Sequence, residues 1–173
     1  MSTRIKKQNG YLLIEAMVAM GILTTSVLGI FALMSQSIKL TRVVDDQYVG
    51  TYLAAEGIEI TKNLLHANFL TSSSTWSTGA AGDFTISGCY EIDVNTPSLP
   101  SSNCPGPKTP LMLNDSLYSY TAGGVVTGFS RSVNITPIID GAGAQEGIDV
   151  ISTARWAGGE SSIKLEDKFY DWH

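Results

Sequence analysis

Charge is the first thing this sequence lacks. The 28 residues from Gly10 to Ser37 carry a single charged side chain, Glu15. That argues against a water-exposed N-terminal segment, since about 20 consecutive apolar residues suffice to cross a hydrocarbon core. Histidine is nearly missing. His66 and His173 have no Cys or His companion at ligand spacing, which leaves a zinc site unsupported. Cysteine is limited to Cys89 and Cys104, so a multi-bridge disulfide scaffold is excluded. No G-x-S-x-G, HExxH or phosphate-loop pattern occurs, and no cofactor fingerprint is legible. Proline is confined, with five of six between Pro97 and Pro110. The rest of the chain is therefore largely free of that interruption.

What is present begins with a basic leader, MSTRIKKQNG, which carries Arg4, Lys6 and Lys7 and no acid. Tyr11 to Met34 follows, 24 residues or about 36 Å as a helix. Basic residues before the span, and none at its far end until Lys39, orient it with the N-terminus in the cytoplasm and the remainder outside. A conventional secretory signal would have a shorter apolar core and a small-residue site after it, which "MSQSIKL" supplies poorly. A lipoprotein signal would need a Cys just past the run, and the first Cys is Cys89.

Helical patterning continues past the membrane exit. Val49, Leu53, Gly57, Ile60 and Leu64 recur at helical spacing and form one apolar face, with Asp45, Asp46, Glu59, Lys62 and Asn63 mostly away from it. The expected organisation is a leader at 1–10, the membrane part of a helix at 11–34, its amphipathic part at 35–68, a linker at 69–83 and a sheet domain at 84–173. A Pro-rich loop occupies 95–110. Gly29, Gly50 and Gly57 are positions where the helix could bend.

Beyond the linker the period changes to two. Phe84, Ile86, Tyr90, Ile92 and Val94 alternate with polar residues and predict a strand, with Gly88 a bulge or close approach. Three further strands are centred on Phe129–Ile135, Ile148–Trp156 and Ile163–Phe169, joined by "DGAGAQEG" and "AGGES"; residues 117–122 predict another. The expected class is α+β: a long N-terminal helix on a small antiparallel sheet, whose apolar face the Val49–Leu64 stripe covers. Both cysteines lie in the exported part and read as one disulfide closing a loop, with two free thiols the alternative. The full chain has net charge −5, and without the leader's three cations the balance is 8 basic to 16 acidic residues, or −8. An acidic ectodomain argues against nucleic acid as a partner.

The N-terminal constellation resembles the type IV prepilins and the related pseudopilins. The residues that carry the resemblance are "KKQNGYLLIEA": a short basic leader ending in Gly10, the aromatic Tyr11, and Glu15 as the fifth residue after Gly10. An apolar helix, an amphipathic extension and a small sheet follow in the order of that family. The resemblance implies cleavage between Gly10 and Tyr11 by a prepilin peptidase, and methylation of the new Tyr11 amine by the same enzyme. It also implies pairing of Glu15 with a neighbouring subunit's N-terminus. The implied partners are that peptidase and methyltransferase, homologous subunits, the membrane and an assembly platform. The implied location is a single-pass inner-membrane protein that passes into an extracellular filament. The family usually has Phe and Thr where this chain has Tyr11 and Leu12, and many major pilins have Pro where it has Ala32. The wording of the run and the large loop content lean toward a minor pilin. The expected role is structural, with no enzymatic activity and no cofactor. The alternatives are a pseudopilin of a secretion or DNA-uptake system, and a signal-anchored surface enzyme or binding module.

Other candidates are weaker. Asp140, Glu146 and Asp149 in "DGAGAQEGID" offer spaced carboxylates to a hard cation, although a polar turn accounts for the same residues. Asn114-Asp115-Ser116 and Asn134-Ile135-Thr136 are N-x-[ST] sequons. Tyr118, Tyr120, Phe169, Tyr170 and Trp172 could form an adhesive surface, but core packing and strand propensity account for them better.

Overall fold

A computed structural model of the chain describes residues 9–71, 76–101, 104 and 109–171. The chain divides at Asp45/Asp46 into two compact units. The leader residues Arg4, Lys6 and Lys7, residues 105–108 of the Pro-rich loop, Trp172 and His173 lie outside the described residues.

Helix α1 spans Asn9–Thr71. Within the first unit its side chains from Tyr11 to Asp45 are all exposed, including Leu13, Met17, Leu23, Leu28, Phe31 and Met34. Thr24, Thr25 and Ser26 would be misplaced polar groups in hydrocarbon. Each hydroxyl instead donates to the carbonyl of Gly21 or Ile22 at 2.7–3.0 Å, which satisfies it within the helix.

The second unit is an α+β body. The remainder of α1 packs on antiparallel strands: β1 (Thr78–Gly79), β2 (Gly82–Asp83), β3 (Gly88–Tyr90), β4 (Met112–Asn114), β5 (Leu117–Ser119), β6 (Val125–Val126), β7 (Ser130–Ile139), β8 (Gln145–Trp156) and β9 (Ser161–Tyr170). The main sheet has the order β3-β7-β8-β9. Its helix-facing side follows from strand alternation, which brings Val133, Ile135, Ile148 and Val150 against Ile60, Leu64 and Leu65 of α1. A second cluster holds Leu53, Ala54, Leu111 and Ala154. Burying such aliphatic side chains stabilises by about 1.5–3 kcal/mol each before entropy is counted.

The helix stripe is where the spacing placed it, but Gly50 and Gly57 serve contact rather than bending. A Cβ on Gly50 would lie 2.6 Å from Trp156 Cζ3. One on Gly57 would strike Ser152 Oγ and sit 3.0 Å from Val133 Cγ2. Both glycines bring α1 close to the sheet.

Three expectations are corrected. The strand over 84–94 shrinks to Gly88–Tyr90, because acids at both ends turn the backbone. Asp83 accepts the Thr85 N–H and hydroxyl at 2.8 and 2.6 Å, bonds that hold its carboxyl below the usual range. Asp93, itself buried, accepts the Asn95 N–H and the Thr96 hydroxyl. Phe84, Tyr90 and Ile92 are buried as the alternation requires, while Ile86 and Val94 are exposed. Within the stretch expected as linker, 69–83, the described residues carry regular structure: α1 continues to Thr71, and β1 pairs with β2. Third, residues 112–126 form a separate sheet, β5-β4-β6, of which only the 117–122 strand was expected. Its β4–β5 turn uses Asp115 and Ser116 at φ 45° and 70°, the left-handed pair of a two-residue hairpin loop.

Candidate functional site

The strongest candidate site is the start of α1. Asn9 and Gly10 already belong to the helix by backbone, and Tyr11 is 82% exposed. Glu15 is exposed one turn further on, among Ile14, Val18 and Ile22. Among the described residues it takes part in no ion pair or hydrogen bond. A helix N-terminus favours a carboxylate through its unpaired N–H groups. Even so, an isolated charge at mid-bilayer depth costs at least about 2.5 kcal/mol on insertion scales. Near the start of the span the cost is reduced, and a cationic partner would lower it further. Among the described residues one helix, α1 counted from Tyr11, is long and apolar enough to cross a membrane.

The cysteines are joined. Cys89 on β3 and Cys104 form a disulfide with Cα atoms 5.4 Å apart. It ties the Pro-rich loop to the edge strand of the main sheet, which has only three residues to hold it.

Asp140, Glu146 and Asp149 are not assembled as a ligand set. Asp140 Oδ1 accepts the N–H groups of Ala142 and Ala144 at 2.8 and 2.7 Å and so closes the β7–β8 turn. Glu146 is exposed, and Asp149 lies cross-strand from Lys168. No group of three or more His, Cys, Asp or Glu suited to a metal occurs among the described residues. His66 is exposed on α1. Asn114 donates to Ser119 Oγ and the Thr121 carbonyl. Asn134 is exposed on β7. Tyr120 is half-buried, whereas Tyr170 is 41% exposed.

Two polar groups inside the second unit escaped sequence reasoning. Arg131 on β7 is fully buried. Its Nη1 reaches Glu56 Oε2 at 2.9 Å and the Leu53 carbonyl at 3.1 Å, and its Nη2 reaches the Ile92 carbonyl at 2.7 Å. Tyr120 donates its hydroxyl to the Arg131 carbonyl at 2.6 Å, and burial pushes that phenol up to about 12. One arginine thus joins the helix, the sheet and the loop after β3. The available signal was a cation in phase with apolar Phe129, Val133 and Ile135. The second group is Asn68, also fully buried. It accepts the Ala81 N–H and donates to the Gly82 carbonyl, both at 2.8 Å, and so holds the β1–β2 hairpin on the helix end. Its position four residues after Leu64, on the buried face, was its signal.

Comparison with family models gives no match, and neither do comparisons with curated proteins and with solved structures.

Proposed function

We propose that the chain is a structural subunit of a type IV pilus or a pilus-like filament. In this reading a prepilin peptidase removes residues 1–10, and the subunit assembles through its apolar N-terminal helix. The observation that carries the reading is the exposed, largely apolar surface of α1 from Tyr11 to Met34, whose single charge is Glu15 and which Gly10 directly precedes. Nothing among the described residues of the first unit covers it, so in this reading it takes lipid before assembly and like helices after. Cleavage at Gly10 would create a Tyr11 amine, and that amine is the cation that an embedded Glu15 lacks. Methylation of the amine by the same enzyme, an assembly platform and export of the second unit belong to the same reading. A pseudopilin would use the same helix in a shorter filament. The chemistry-free role rests on the absence of a recognisable catalytic motif in the sequence.

A second reading, a signal-anchored surface binding module, is favoured by one feature. A cavity of about 320 Å³ lies in the second unit, lined by Leu65, His66, Trp76, Phe169 and neighbouring residues. Intact mass of the membrane-extracted protein separates the two. The filament reading expects loss of residues 1–10 and gain of one methyl, whereas a retained leader would leave the anchored module.

A further inference from the structure

The helix carries a second pair of opposite charges with the same spacing as Tyr11 and Glu15. Arg42 and Asp46 are four residues apart, as are Tyr11 and Glu15, and in both pairs the cationic member comes first once the leader is removed. Lys39 lies one turn before Arg42, and Asp45 lies beside Asp46. All four side chains are exposed on α1. The ion pairs among the described residues are Lys62–Glu59, Arg131–Glu56 and Lys168–Glu166, and none of the four takes part in them. A basic residue N-terminal to an acid at i,i+4 is also the weaker order for pairing within one helix.

We infer that Arg42 of one copy pairs with Asp46 of a neighbouring copy, and that this contact sets the axial stagger between parallel helices. The inference rests on the filament reading above. Membrane insertion in one orientation makes the copies parallel. Aligned in register, they would set Arg42 beside Arg42 and Asp46 beside Asp46, which is repulsive. A shift of four residues, about 6 Å along the axis, brings a Tyr11 amine level with Glu15 of the next copy. The same shift in the same direction brings Arg42 level with Asp46. A shift the opposite way is the same arrangement with the two copies exchanged, whereas a shift of another length matches neither pair.

The faces are compatible as well. Tyr11 and Arg42 are 31 residues apart. In a left-handed helix bundle the contact seam repeats every 3.5 residues, so these positions lie within about 50° of one seam. A long arginine side chain spans that difference. Arg42 and Asp46 also lie 8 and 12 residues beyond Met34, past the apolar span. Water and salt screen them there, and their contribution is to register more than to affinity.

The test uses the full chain in cells that assemble it, with subunit measured in sheared filaments and in membrane. Arg42→Asp alone and Asp46→Arg alone are each expected to lower the filament-to-membrane ratio roughly tenfold. The double variant, which rebuilds the pair with reversed polarity, is expected to recover most of that loss. In a parallel experiment, Arg42→Cys and Asp46→Cys copies are co-expressed. They are expected to yield a disulfide-linked dimer in filaments, stronger than that of Arg42→Cys alone. Filaments in which the double variant fails to recover, or in which Arg42→Cys alone links equally well, would overturn the stagger and leave the filament reading intact. A retained leader with no cross-link at any pair would overturn both.

Discussion

At the scale of single residues, Arg131 organises the second unit. A fully buried guanidinium is costly unless its donors are matched. Here Glu56 and the Leu53 and Ile92 carbonyls match Nη1 and Nη2, while Nε is buried without a partner among the described residues. Tyr120 closes the arrangement from the other side and gives it a pH signature. Burial raises the phenol to about 12, against about 10 in an unfolded chain. The native state therefore holds this proton more tightly. The stability it contributes is fully present below pH 10 and is lost as pH rises toward 12, at up to about 1.4 kcal/mol per pH unit. Tyr120→Phe should flatten that alkaline loss in denaturant titrations between pH 9 and 12, with a smaller loss left by Tyr90, which burial also raises. An unchanged alkaline slope would place the titration elsewhere. Arg131 was visible in the sequence only as an oddity of phase. Its partners were not, because Glu56 and Ile92 lie 75 and 39 positions away and only the packed fold brings them together.

At the scale of elements, α1 was legible because two strong signals agree: an apolar run long enough to span lipid and a stripe at helical spacing. The long strands β7, β8 and β9 were legible for the same reason, since ten or more residues of alternation outweigh local noise. The short strands were not. β3, β4 and β5 have three residues each, too few for a period to declare itself, and Asp83 and Asp93 impose turns that alternation does not encode. Gly50 and Gly57 were read as places where α1 could bend, whereas they act as contact surface against the sheet. Gly57→Ala tests this. Alanine would gain about 1 kcal/mol of helix propensity, but its Cβ would meet Ser152 Oγ and Val133, and overpacking typically costs 1–3 kcal/mol. The expected net effect is a loss of up to about 2 kcal/mol, read as a lower melting temperature in detergent. A melting point at or above wild type would show that the helix and sheet can separate freely. The disulfide belongs to this scale too. Closing a loop between residues 15 apart stabilises by about 3 kcal/mol in the chain-entropy account. Replacing Cys89 and Cys104 by Ser should lower the melting temperature accordingly, and reductant should have no further effect on that variant. Identical melting of the native chain with and without reductant would contradict a stabilising bridge.

At the scale of the whole molecule, the chain joins a unit that completes its own core to one that leaves its apolar surface uncovered. A bilayer can cover that surface, and so can a bundle of like helices; in the proposed filament only the bundle would supply Glu15 with an amine at a defined height. Glu15→Ala isolates this difference. Removing a charge from the span should leave insertion at least as favourable as in the native chain. Cleavage after Gly10 should persist, since Gly10 and the apolar flank remain. Assembly should fail, because losing one member of a buried ion pair typically costs about 3–5 kcal/mol. The deciding measurement expresses a tagged Glu15→Ala copy beside an untagged native copy and compares tagged subunit in sheared filaments with tagged subunit in membrane. The account predicts a processed, membrane-inserted variant nearly missing from filaments. Incorporation equal to a tagged native control would contradict Glu15 as the contact that builds the assembly.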